Sequence, residues 1–218
     1  MARTADKLIS DIRKEVSSGI LKPGDQLEVN ALAERFGVSR TPIREAIRTL
    51  VESGVLETRP RKGSFVRVLS AKQLLDLFQV AAELEGMACR LAALSLTKEN
   101  VEAIERGLAK CTQAAEVQNN AEYAMANLDF HTAIHNASGN DWLIEQLRQL
   151  QINLNSYRTM PYEIRGRLNK STDEHKIICD AILSGDGEHA CNLMRDHMML
   201  QGKRLPSIIA TLEQQKNN

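Results

Sequence analysis

The sequence predicts a mainly α-helical protein, in which a winged helix-turn-helix of three helices and a β-hairpin wing precedes an antiparallel all-helical bundle. In the first third, two apolar-periodic segments are separated by a glycine turn and are followed by two short strand-like runs. From Ser70 onward there is no convincing period-two run, and proline is absent until Pro161. We therefore expect one domain over residues 1–69 and a second over residues 70–218.

Composition limits the class of protein. The chain is 43% hydrophobic over 218 residues, which is enough for two modest cores. No apolar run approaches the roughly 20 residues that cross a bilayer, and the first residues lack the apolar stretch of a signal peptide, so we expect a cytoplasmic protein without a membrane partner. Four cysteines without CxxC spacing lie in apolar segments and predict buried thiols: Cys89, Cys111, Cys179 and Cys191.

Charge is unevenly distributed, although the formal net charge is zero. Residues 1–68 hold 13 Lys/Arg and 9 Asp/Glu, a net charge of +4, whereas the remainder holds 15 and 19, a net charge of −4. Because Lys and Arg supply the phosphate contacts that dominate nucleic-acid affinity, this distribution favours a nucleic-acid-binding N-terminal domain.

Apolar spacing predicts the elements of the first domain. Helices are expected over residues 4–19, ended by Gly19, and over residues 29–36, followed by a sharp turn at Gly37. Ser39 or Thr41 can cap a third helix. Gly54 ends that helix, and two strands are expected at 55–58 and 64–68.

The third helix separates its apolar and basic residues onto different faces. Arg40, Arg44 and Arg48 follow one another at four-residue steps, away from the apolar stripe. A helix that follows a turn in this way can place arginines against guanine edges and phosphates in a major groove. Arg61, Lys62 and Gly63 form a basic tip between the strands, as in a wing that approaches the DNA backbone. An ordinary solvated stripe is the alternative for the three arginines of the third helix.

The first domain resembles the GntR family. The similarity is carried by Ile20-Leu21-Lys22-Pro23-Gly24-Asp25-Gln26-Leu27, Leu32-Ala33, Val38-Ser39-Arg40-Thr41-Pro42-Ile43-Arg44-Glu45-Ala46, Gly54-Val55-Leu56 and Gly63. The resemblance implies that Arg40 and Arg44 contact operator DNA with help from Ser39 and Thr41, and that Gly63 enters the minor groove. Some members carry a further contacting arginine at the start of the second helix, where this chain has Asn30, so one position of the half-site can be read differently.

The second domain is expected to contain helices over 71–95, 98–118, 121–137, 142–158, 172–183 and 187–203, with a frayed seventh near the end. Ser70, Thr97, Asp141 and Asp186 are expected as caps, and Ser171-Thr172-Asp173-Glu174 is interpreted as a capping box. Residues 213–218 are polar and are expected to be disordered.

All five histidines lie in this second domain: His131, His135, His175, His189 and His197. Asn127, His131 and His135 stack on one helix face, while His175 and His197 belong to two later helices. Histidines from different helices of a bundle can build a metal site, although a single helical histidine is more often a hydrogen-bonded or surface residue.

The second domain resembles the FCD ligand-binding domain of the FadR subfamily. The similarity is carried by Asn127-Leu128-Asp129-Phe130-His131, Ala137-Ser138-Gly139-Asn140, Glu174-His175 and Met194-Arg195-Asp196-His197. Members with a metal use an acidic residue four positions before the first histidine, plus three histidines, so the resemblance implies Asn127, His131, His175 and His197 as ligands of a divalent ion. Imidazole ligands favour zinc or nickel. His135 and Cys179 are reserve ligands by spacing.

Two positions depart from that subfamily. Asn127 is neutral where an acidic ligand is usual, which should weaken the site. Many metal-containing members also carry an arginine four residues before a glutamate, to pair with a carboxylate effector, but Ala81 occupies that place before Glu85. Arg158 is the candidate substitute for effector binding.

These observations predict a homodimeric transcriptional regulator, most simply a repressor, that binds double-stranded operator DNA and responds to a small carboxylate effector. Two alternatives remain for the bundle. It could be a dimerisation scaffold only, which the Asn127 and Ala81 departures favour, or a metal-dependent hydrolase. The absence of an H-E-x-x-H segment argues against the hydrolase.

Overall fold

The computed structural model describes residues 2–17, 19–158 and 166–203. Over these residues the chain is mainly helical with one small antiparallel sheet, as predicted. It separates into two compact units, residues 1–69 with 152–156, and residues 70–151 with 157–218. The expected last helix and the polar tail lie outside the described residues, as does the side chain of Arg158.

The first unit is a winged helix-turn-helix. Its elements are α1 (Ala2–Ser17), β1 (Gln26–Leu27), α2 (Val29–Phe36), α3 (Arg40–Glu52), β2 (Leu56–Arg59) and β3 (Gly63–Val66). Apolar stripes of the three helices meet in one core, which includes Leu8, Ile12, Leu32, Ile43, Ala46 and Leu50. Gly37 adopts a left-handed conformation with φ of 64°, so the chain turns between α2 and α3 without the penalty that a Cβ would bring.

The sheet has three strands in the order β1-β3-β2, and both strand pairs are antiparallel. The β2–β3 hairpin was predicted, but β1 was not, because two residues are too short to give an alternating pattern. Gln26 lies opposite Phe65, so β1 joins the wing strand β3. Ser39 occupies the N-cap position of α3, as expected, although its side chain makes no capping hydrogen bond.

The second unit consists of α4 (Ala71–Leu94), α5 (Lys98–Glu116), α6 (Asn120–Ala137), α7 (Asp141–Arg158), α8 (Arg167–Leu183) and α9 (Gly187–Lys203). Helix α4 packs against α9, α6 and α8, and α5 packs against α6 and α8. Ser70 forms a capping box with Gln73, and Thr97 caps α5. The described helices include none that is long and apolar enough to cross a membrane. All four cysteines are free and buried.

The start of α8 corrects the sequence prediction. Ser171 and Thr172 lie inside the helix and are buried, so they do not form the expected capping box. Thr172 Oγ1 instead donates to the carbonyl oxygen of Leu168, 2.9 Å away. The helix begins five residues earlier than predicted, after Gly166 in a left-handed conformation, and an ion pair between Arg167 and Glu174 spans its first two turns.

Candidate functional site

Helix α3 presents its arginines to solvent. Arg40, Arg44 and Arg48 are exposed, while Ile43, Ala46, Ile47 and Leu50 face the core. Arg48 pairs with Glu52 across one turn, with 3.7 Å between nitrogen and oxygen. Arg40 and Arg44 form no ion pair with any residue that the structure describes, so their charges remain available to an external anion.

The wing tip is basic and is held in shape by backbone contacts. Arg61 has a positive φ of 61° and Gly63 a positive φ of 99°. Gln26 Nε2 donates to the carbonyl oxygen of Lys62 at 2.8 Å, which ties the tip to β1. Arg61 and Lys62 are exposed. Arg59, in contrast, is engaged by Glu57 at 2.7 Å and lies 4.3 Å above the ring of Phe65.

The remaining candidate contacts of the first unit are also on its surface. Ser39 and Thr41 flank Arg40 at the start of α3, and Asn30 lies in the first turn of α2. All three side chains are exposed. A Cβ at Gly63 would meet Gln26 Nε2 at an ordinary 3.4 Å, but the positive φ of this residue would strain any side chain placed there.

Three histidines converge inside the second unit. His131 on α6, His175 on α8 and His197 on α9 are each at most 1% exposed. One ring nitrogen from each lies within 4.8 Å of the others, and the Nε2 atoms of His175 and His197 are 3.3 Å apart. Phe130 stacks on His175 with 4.5 Å between ring centroids. Three imidazole nitrogens at this separation are a donor set suited to one divalent ion.

Asn127 lies one helical turn before His131 on α6 and is 3% exposed. Its Oδ1 atom is buried, and no residue in the described part of the chain donates a hydrogen bond to it. A buried amide oxygen without a partner costs free energy, so this atom is available to a bound water or to a ligand.

Glu85 on α4 is the carboxylate partner of two histidines. Its Oε2 atom lies 3.0 Å from His131 Nδ1 and 2.8 Å from His135 Nε2. Burial opposes ionisation of this group, but His135 and His131 outweigh that effect and hold the pKa of Glu85 well below its ordinary value. A carboxylate on Nδ1 fixes the orientation of the His131 ring, which is how ligating histidines are usually held.

Glu174 does the same for His197, whose Nδ1 lies 2.7 Å from Glu174 Oε2. Arg167 donates to both oxygens of Glu174 at 3.2 Å. Burial raises the pKa of Glu174, but the hydrogen bonds and charges of His197 and Arg167 lower it further, to about 2. A chain of contacts therefore runs from Arg167 through Glu174 to His197.

The two reserve ligands have other surroundings. His135 contacts Glu85, and Glu85, His131 and His135 form a second buried group whose ligand atoms lie within 4.8 Å of one another. Cys179 is buried but belongs to neither group among the described residues. His189 is exposed on α9. The proposed effector residue, Arg158, has its side chain outside the described residues.

Sequence reasoning did not identify Glu85 and Glu174 as partners of the histidines. Glu174 is the neighbour of His175 on α8, so the two side chains leave the helix in different directions, and Glu174 reaches His197 on the next helix. A signal was available for Glu85. It is a carboxylate on the otherwise apolar face of α4, in register with Phe78, Ala82 and Cys89.

Comparison with known proteins supports both units. Residues 4–66 match the model of bacterial regulatory proteins of the gntR family, and residues 76–199 match the FCD domain. The HTH-type transcriptional regulator McbR of Escherichia coli (strain K12) is 30% identical over 95% of this chain and 92% of its own length. The probable D-xylose utilization operon transcriptional repressor of Paenarthrobacter nicotinovorans is 30% identical over 84% of this chain and 80% of its own length.

Solved structures give the same result. E. coli McbR/YncC superposes with a TM-score of 0.81 at 28% identity, covering 98% of each chain. A putative GntR transcriptional regulator from Rhodococcus sp. RHA1 has a TM-score of 0.79 at 19% identity, covering 95% of this chain and 99% of its own, and supports the fold. With an exposed arginine face on α3 and a buried polar cluster in the bundle, the chain belongs to the GntR family and is a DNA-binding transcriptional regulator with an FCD effector-binding domain, not an enzyme.

Proposed function

We propose that this regulator is a homodimeric repressor whose affinity for operator DNA changes when a small carboxylate binds at a metal ion in the FCD domain. Residues 1–69 bind the DNA, and residues 70–218 bind the effector and the second subunit. The observation that carries the proposal is the convergence of three buried imidazoles from three helices. A bundle that served only as a dimerisation scaffold would have no need of such a cluster.

In this proposal Arg40 and Arg44 bind base edges and phosphates in the major groove, since both are exposed and neither is paired with a carboxylate among the described residues. Arg48 contributes less, because Glu52 competes for its guanidinium. Ser39, Thr41 and Asn30 supply polar contacts from the same surface.

The wing binds the DNA backbone in this proposal. Arg61 and Lys62 are exposed at the tip, and their charges attract phosphates without regard to base sequence. Gly63 is the first residue of β3, next to the tip, where the absence of a side chain permits close approach to the minor groove. We expect the regulator to act in the cytoplasm, where its operator DNA would lie.

The residues of the second unit fit a divalent ion. His131, His175 and His197 would hold it, with the Oδ1 atom of Asn127 as a fourth, neutral donor. Zinc and nickel suit three imidazoles. When bound, the ion would supply a Lewis-acidic position for a carboxylate oxygen. Glu85 and Glu174 would orient two of the imidazoles through their Nδ1 atoms.

The DNA-binding part is tested by a mobility-shift titration with the DNA that flanks the gene. Arg40→Ala or Arg44→Ala should each cost about 1–3 kcal/mol of specific binding and leave the fold intact, because bidentate base contacts have that worth. Arg106→Ala is the matched control, since Arg106 is an exposed arginine of α5 that pairs with Glu102 on the same helix. A double Arg40→Ala, Arg44→Ala variant with unchanged affinity would contradict the assignment of α3.

A further inference from the structure

A guanidinium is buried close to the histidine cluster. Arg167 is the first residue of α8, and its side chain is 2% exposed. The terminal nitrogens of Arg167 contact Glu174. Its Nε atom is buried and donates no hydrogen bond to any residue in the described ranges of the chain. Because a buried N–H without an acceptor is costly, this donor is available to a bound ligand.

Two polar stripes connect this guanidinium to the histidines. The residues recur at four-residue steps and are buried: Tyr123, Asn127 and His131 on α6, and Arg167, Ser171 and His175 on α8. The stripes touch, since Thr172 Oγ1 lies 3.4 Å from the Tyr123 hydroxyl and the rings of His131 and His175 are 5.5 Å apart. The partnerless Asn127 Oδ1 and Arg167 Nε atoms therefore belong to two adjacent buried polar stripes.

The formal charge around the histidine cluster restricts the charge of the ligand that can bind there. The contacts of the cluster bring in two carboxylates, Glu85 and Glu174, and one guanidinium, Arg167. With neutral imidazoles the group carries one excess negative charge, and a divalent ion on the histidines reverses this to one excess positive charge. An uncompensated charge is expensive in a buried site, so a ligand with a single negative charge fits best.

We propose that Arg167 anchors the carboxylate of a small monocarboxylate effector and performs the task for which position 81 has no arginine. The inference rests on the proposed effector-sensing function, and it adds the charge of the ligand and the residue that holds it. Arginine suits the task because its rigid fork of donors binds carboxylate oxygens with defined geometry. Glu174 holds the terminal nitrogens, which leaves Nε to face the ligand.

The test is calorimetric titration of the full chain, loaded with zinc or treated with a chelator. The probes are acetate, glycolate and glycerate, with malonate as a dicarboxylate. We expect at least one monocarboxylate to bind more tightly than malonate. Arg167→Lys keeps the charge but loses Nε, and it should weaken that probe by about tenfold to a hundredfold, the range for losing a hydrogen bond to a charged group.

Controls separate anchoring from folding. Arg106→Lys makes the same exchange on the surface of α5 and should leave probe affinity unchanged. The double variant Arg167→Met, Glu174→Gln removes both buried charges together, and it should stay folded, by circular dichroism, and lose the probe. Its zinc content and that of Arg167→Lys are measured by elemental analysis, so that a loss of metal is not mistaken for a loss of the anchor.

The outcomes distinguish this inference from the proposed metal site. Probe binding that survives the chelator but is lost in Arg167→Lys supports the arginine as the anchor, and contradicts both the metal site and the charge argument that assumes it. Binding that needs zinc but is unchanged in folded Arg167→Lys and in the double variant overturns the role of Arg167. A zinc-loaded wild type that binds none of the monocarboxylates, or prefers malonate, also overturns it. DNA binding through α3 is measured separately and is not affected by these results.

Discussion

Gly107 on α5 packs against the backbone of α6, so the addition of a single methyl group there should disturb the FCD domain. A Cβ built on Gly107 would lie 2.8 Å from the Cα and 3.1 Å from the backbone nitrogen of Phe130 on α6. Ordinary carbon contacts begin near 3.4 Å, and backbone atoms cannot rotate away as a side chain can. Gly107→Ala must therefore push α5 and α6 apart.

The size of the effect follows from two opposing contributions. Overpacking of a core costs about 1–3 kcal/mol, whereas replacing glycine by alanine inside a helix stabilises by about 1 kcal/mol. The clash is with backbone atoms, so the upper part of the overpacking range, about 2–3 kcal/mol, applies. We therefore expect a net loss of about 1–2 kcal/mol in the free energy of unfolding, or a fall in Tm of roughly 2–8 °C for a chain of this size. Phe130 stacks on His175, so the displaced ring should also weaken metal binding.

The assay is urea unfolding of chelator-treated protein followed by circular dichroism, with zinc affinity measured separately by competition. Ala109→Gly is the control, because Ala109 is exposed on the same helix and reports the helix-propensity contribution alone. If propensity governed both positions, Gly107→Ala would gain about what Ala109→Gly loses. That gain, together with unchanged zinc affinity, would refute the argument from close packing.

Three further predictions concern the histidine cluster and the wing. His131→Ala should abolish stoichiometric metal and remove its contribution to Tm, whereas exposed His189→Ala should leave both unchanged; equal metal content in the two purified variants would contradict the cluster. Asn127→Asp should tighten zinc in a chelator competition, because it adds a full negative charge, and a weaker affinity would mean that position 127 is not a ligand. Lys62→Gln should lower affinity for all DNA sequences and reduce the salt slope by about one unit; a sequence-selective loss with the slope preserved would instead mean base reading.

The ends of a helix were predicted best where the apolar spacing and a helix-ending residue agree. Helix α2 begins and ends where it was expected, because its apolar spacing is followed by Gly37, whose left-handed conformation forces the end. The resemblance to the FCD domain predicted the three histidines of the cluster, and the structure brings their rings together. Contacts between distant helices were not predictable in the same way. Glu85 and His131 are separated by 46 positions, and nothing local to either residue specifies that they meet.

The start of α8 shows why a local pattern can mislead. The Ser171-Thr172-Asp173-Glu174 run has the spacing of a capping box, but both hydroxyl side chains are buried within the helix. The helix start is instead held by the ion pair between Arg167 and Glu174, which are seven positions apart in the sequence. This part of α8 is buried against α6 and α9. A capping box stabilises a helix end by about 1 kcal/mol, an amount that tertiary contacts readily exceed.

His131 belongs to both buried groups of candidate ligands, the one with His175 and His197 and the one with Glu85 and His135. Its Nδ1 lies 3.0 Å from Glu85 on α4, and α4 begins at Ala71, shortly after the last wing strand ends at Val66. A cation bound by the other nitrogen would withdraw electron density from the ring and would make the Nδ1 hydrogen a stronger donor to that carboxylate. Metal binding at the histidine cluster would in this way strengthen a contact to α4, the helix that follows the wing in the sequence.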